Sequence, residues 1–94
     1  MDISATGQSA PVVVRTGIHF INIDGANFGG TSVRIDWRQT PADVWSPLND
    51  EDGLPIAATS TYNKSVFTGA GEISFFLTGG AAIDLSIAIE RLPA

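Results

Sequence analysis

One segment of this chain restricts its folding more than any other. In Thr31-Ser32-Val33-Arg34-Ile35-Asp36-Trp37-Arg38, apolar and polar residues alternate without an error. Only an extended strand sends successive side chains to opposite faces. The pattern therefore predicts a β-strand with Val33, Ile35 and Trp37 buried and Arg34, Asp36 and Arg38 in water. Residues 83–90 repeat it, with Ile83, Leu85, Ile87 and Ile89 on one side and Asp84, Ser86, Ala88 and Glu90 on the other. In residues 72–78, Ile73, Phe75 and Leu77 share a face while Phe76 points the other way, so this strand is expected to need a lid over its second face. Residues 17–24 also carry apolar side chains on both faces, Ile18 and Phe20 against Ile21 and Ile23. Such a strand is central or lies beneath a partner.

The rest of the chain has the same texture. Short runs of Val, Ile, Phe and Thr are cut at close intervals by Gly, Asn, Asp and Pro, and no helical period is present. Residues 11–15 and 62–68 read as further strands. The least regular stretch, 41–56, contains Pro41, Pro47 and Pro55, with Val44 and Trp45 read as a short strand inside it. Gly79-Gly80 predicts a tight hairpin that makes the last two strands antiparallel neighbours. About seven short strands of this kind imply an all-β fold, an antiparallel β-sandwich of jelly-roll or immunoglobulin-like type, with a barrel as the fallback. It would occupy residues 11–94, preceded by a flexible N-terminal arm over residues 1–10, which have one charge and no sustained period.

Size and charge then narrow the function. A chain of 94 residues is one domain, and it buries only about 60 to 65% of its unfolded surface. It has no cysteine, so neither a disulfide nor a thiolate zinc site can support the small core. Self-association is the support that remains. The net charge of −5, without a basic patch, argues against nucleic acid and anionic lipid as partners. Apolar runs fall far short of the roughly 20 residues that span a bilayer. Met1-Asp2-Ile3 lacks the basic, then apolar, start of a secretory signal, so the chain is expected to be neither inserted nor exported.

Catalytic patterns are weak. His19, the only histidine, has no Ser or Asp at a spacing that implies a relay, and it reads as a structural or surface residue. Asp24, Asp36, Asp43, Asp84 and Glu90 could supply a carboxylate pair, but Asp36, Asp84 and Glu90 fall on the wet sides of strands, where such groups keep a sheet soluble. A small hydrolase or inhibitor would have to work through His19 or Asp43. The run Asn49-Asp50-Glu51-Asp52-Gly53 offers clustered oxygens but not the ligand order of a helix-loop-helix calcium site, so a solvated turn is expected ahead of a weak calcium site. The glycines match neither a dinucleotide nor a Walker loop. The expectation is therefore a protein with no enzymatic activity, metal or cofactor. Trp37 falls in phase with Val33 and Ile35 and belongs to the core. Trp45 and Tyr62 are left to anchor a subunit contact or to stack on a ligand.

The run 26–48, the glycine turn before residues 72–80, and the closing 83–92 together resemble a group of small phage virion proteins. In that group a Gly-rich turn leads into an alternating strand, a tryptophan phrase follows, and a closing strand ends in a basic residue. Here Asp43-Val44-Trp45-Ser46-Pro47-Leu48 takes the place of the tryptophan phrase and Arg91 the closing position, while Gln39-Thr40-Pro41-Ala42 replaces the group's usual turn. The resemblance implies a β-sandwich displayed on the particle, a head decoration (cement) protein or a fibre component. It further implies a homotrimer, the major capsid protein as partner, and a place on the virion surface. An adhesion or carbohydrate-binding module on a fibre is the alternative. Ile21, Ile23 and Phe76 are the candidate contacts with a neighbouring subunit or the shell, followed by Trp45 and Tyr62; the alternative is that they fill an ordinary core.

Overall fold

In a computed structural model of the chain, which describes residues 1–50 and 53–92, each of the alternating segments is a strand. In chain order the strands are β1 (Asp2–Ile3), β2 (Gly7–Gln8), β3 (Val12–Val14), β4 (Gly17–Asn27), β5 (Ser32–Arg38), β6 (Ser46–Pro47), β7 (Ala57–Ala58), β8 (Tyr62–Thr68), β9 (Gly71–Thr78) and β10 (Asp84–Arg91). They form two antiparallel sheets. One has the order β1-β10-β4-β8. The other is built on the pair β9-β5, with β2 and β3 along the free side of β9 and β6 and β7 along the free side of β5. The protein is an all-β sandwich.

The core lies between the sheets. Ile21 and Ile23 of β4, Val66 of β8, and Leu85 and Ile87 of β10 meet Val33 and Ile35 of β5 and Ile73, Phe75 and Leu77 of β9. Each large side chain removed from water in this way contributes about 1.5 to 3 kcal/mol. Trp37, in phase with Val33 and Ile35, packs against the same cluster, and its Nε1 donates to the Gly69 carbonyl at 3.2 Å.

Connectivity departs from the hairpin expectation. β9 and β10 are not neighbours: β9 pairs with β5, β10 pairs with β4, and the Gly79-Gly80 link carries the chain from one sheet to the other. The long strands β4, β5, β8, β9 and β10 change sheet at every step, so their pairings are all distant in sequence. The double glycines serve these crossings. Gly29 and Gly80 adopt φ of 63° and 88°, in the region that favours glycine. The two corners press together: a Cβ on Gly29 would run into the Ala81 carbonyl, and the Ala81 N–H donates to the Gly29 carbonyl at 3.0 Å. A hairpin and a sheet-to-sheet corner make the same demand on local backbone, which is why the dipeptide alone did not distinguish them.

Two further expectations change. Residues 1–10 pair with both sheets, β1 against β10 and β2 against β9, and Ser9 binds Phe75 through its N–H at 2.8 Å and its Oγ at 3.0 Å. Backbone bonding of this kind needs no side-chain period, so the sequence carries no trace of it. The short strand expected at Val44 and Trp45 falls two residues later, at β6, where Pro47 lies opposite Asp36. Val44 itself is exposed.

Candidate functional site

The outer faces of the two sheets differ in chemistry. On the sheet built on β5 and β9, the register sets Arg34 opposite Phe76, Asp36 opposite Ser74, and Arg38 opposite Glu72. Cross-strand partners touch, so each residue type finds a complement. Arg34 donates from Nε and Nη2 to the two oxygens of Asp36, at 2.8 and 3.0 Å, and its guanidinium lies 4.8 Å from the centre of the Phe76 ring. Arg38 Nε donates to Glu72 at 2.9 Å, and the same guanidinium sits 4.1 Å from the Trp45 ring. Ser74 Oγ donates to the Ser9 carbonyl at 3.0 Å.

The lid expected over Phe76 is thus the planar cation of Arg34. A consequence the alternation did not show is that Asp36, on the nominally wet face, has a side chain only 2% exposed, while its partner Arg34 is 46% exposed. Bidentate pairing compensates for burial of that carboxylate.

The four-stranded sheet presents a different face. Ile18 of β4 lies directly opposite Phe67 of β8, and Phe20 follows two residues along, opposite Ser65. These side chains point away from the core and are 50%, 66% and 36% exposed, respectively. β8 is the edge of its sheet, paired on one side by β4. An apolar cluster beside an open strand edge is the arrangement that a second chain can cover.

Ile21 and Ile23 are therefore corrected as contact candidates. Both are fully buried among the core residues, and the apolar residues of β4 that reach the surface are Ile18 and Phe20. A period of two separates the faces of a strand without saying which one is covered. Phe67 was missed because it sits alone among Asn63 and Ser65 on its face; its signal was a large aromatic in an otherwise polar row. Phe76 and Trp45 are half-buried under Arg34 and Arg38. Tyr62 packs against the core with Lys64 Nζ 5.8 Å from its ring. All three lie apart from the apolar cluster: Phe76 is on β9 and Trp45 just before β6, on the side of the other sheet, and Tyr62, at the start of β8, packs against the core.

His19 points inward. It is 2% exposed, with Nδ1 3.2 Å from both the Gly17 carbonyl and Thr68 Oγ1. Asp43 closes a turn by accepting from the N–H and hydroxyl of Thr40, at 3.0 and 2.9 Å. In the acidic run, Glu51 and Asp52 lie outside the described residues; Asp50 accepts from the Leu54 N–H at 3.0 Å and so helps close the turn. Among the described residues no three His, Cys, Asp or Glu side chains gather as a metal site would require, and no helix is long and apolar enough to cross a membrane. Comparison with family models, with curated proteins and with solved structures gives no match.

Proposed function

We propose that this chain is a structural protein that assembles with copies of itself through the outer face of its four-stranded sheet and, so assembled, decorates the outside of a phage head. The observation that carries the first part is the cluster of Ile18, Phe20 and Phe67 beside the open edge of β8. A second copy that covered it would remove apolar area from water at about 25 cal/mol per Å² and could extend the sheet across the edge. A domain of this size has a small core, so burial gained between copies is a large addition to its stability. The phage setting, with a homotrimer and the major capsid protein as partners, comes from the resemblance of residues 17–92 to small virion proteins. Many weak contacts on a repetitive shell then add up.

Light scattering over a range of protein concentrations tests the self-association. A mass above that of one chain is expected, falling to one chain in Phe67→Ser. A monomer at every concentration ends the reading. Co-sedimentation with bare phage heads tests the setting, and protein that stays in the supernatant removes it.

A further inference from the structure

Of the four arginines in the chain, Arg34 and Arg38 are tied to Asp36 and Glu72. The other two, Arg15 and Arg91, form no ion pair among the described residues, and both line one open groove on the side of the sandwich where β3 faces the end of β10. The only histidine lines it too. Among the described residues no carboxylate does: Glu72 is held by Arg38 on the outer face of its sheet, and Glu90 lies opposite Phe20 on the outer face of the other. A chain of net charge −5 therefore brings to one place two arginines that have no ion pair among the described residues.

The three groups are held there. Arg91 lies opposite His19 in the register, and its Nε and Nη2 donate to the Thr16 carbonyl at 3.3 and 3.1 Å, which fixes the guanidinium and leaves further N–H groups to donate. His19 is buried, and its Nδ1 is engaged by the Gly17 carbonyl and Thr68 Oγ1. Nε2 makes no hydrogen bond among the described residues and is the nitrogen left for the groove.

The walls beside these groups are Val12, Val14 and Ile89, and beyond Val12 and Ile89 the apolar lining continues to Met1, Phe75 and Ile87. The cationic part has about 350 Å³ of space, the size of a small-molecule site. Two guanidinium forks match the paired oxygens of a carboxylate, and apolar walls favour a ligand that brings its own apolar chain. We propose that this groove binds a small carboxylate bearing an alkyl chain, with its oxygens on Arg15 and Arg91 beside the His19 ring and its chain along Val12, Val14 and Ile89.

The single histidine makes the test direct, since the imidazole resonances of the isotope-labelled full chain belong to one residue. Octanoate, acetate and inorganic phosphate are titrated at constant pH and ionic strength. Octanoate is expected to shift the His19 Nε2 and Cε1–H signals saturably, and to bind at least about tenfold more tightly than acetate, because each buried methylene adds about 0.8 kcal/mol. Phosphate is expected to bind no more tightly than acetate. Arg15→Gln, at an exposed side chain, is expected to weaken octanoate about tenfold while the rest of the spectrum stays in place. The absence of a saturable shift with millimolar octanoate, equal shifts with all three anions, or an Arg15→Gln protein that binds octanoate as before would each overturn the assignment.

Discussion

The two outer faces of this sandwich meet water in opposite ways. On the β5-β9 face, two arginines lie over two aromatic rings and hold two carboxylates, so nearly every group is satisfied within the chain. On the β4-β8 face, Ile18, Phe20 and Phe67 stand exposed with nothing described in the chain to cover them. A face whose groups bind one another strengthens the monomer that carries it. A face that leaves apolar atoms in water contributes little to the monomer and becomes useful when a neighbour arrives. Substitutions on the first should therefore register as stability, and substitutions on the second as association.

The largest effect expected on the monomer is at Asp36. Asp36→Ala removes a buried carboxylate that accepts two bonds from Arg34, and it should lower the unfolding free energy by about 2 to 3 kcal/mol, read as a fall in the urea midpoint with an unchanged slope. An unchanged midpoint would show that the face is not self-supporting. Arg38→Ala comes next. It removes the bond to Glu72 and the cation over Trp45, and about 1 to 2 kcal/mol should be lost. A blue shift of tryptophan fluorescence would contradict the exposure of Trp45 that this substitution should produce. The smallest effect belongs to the other face. Ile18→Ser, measured at concentrations low enough to hold the chain as a monomer, should change stability by no more than about 0.5 kcal/mol. At high concentration the same substitution should lower the assembled mass. A loss of monomer stability as large as that of Asp36→Ala would erase the contrast between the faces.

The difference also marks where sequence reasoning succeeded. Val33, Ile35 and Trp37 on β5, Ile73, Phe75 and Leu77 on β9, and Leu85 and Ile87 on β10 share the inner faces that their alternation indicated. On β4 alternation separated Ile18 and Phe20 from Ile21 and Ile23, but both rows are apolar, and nothing within the strand chooses between them. The choice was made by β10 and β8, which pair with β4 from far away in the chain and turn Ile21 and Ile23 toward the opposite sheet. Asp36 was read as a wet residue because its row is polar. Its burial depends on Arg34 folding back over the sheet, a contact two residues away that alternation does not encode. The groove at His19 was equally hidden, since Arg15, His19 and Arg91 come from three separate segments and meet only once β3 and β10 have joined different sheets.

By itself, the sequence determined which stretches are extended, which residues share a face, and that two layers would close over an apolar interior. These follow from the geometry of a single strand, whose side chains alternate whatever it pairs with. Only the tertiary structure decided which sheet each strand joins, which side of β4 is inside, and which charged groups meet. Those outcomes depend on partners tens of residues apart, chosen by packing and backbone pairing together, and no local pattern carries that information.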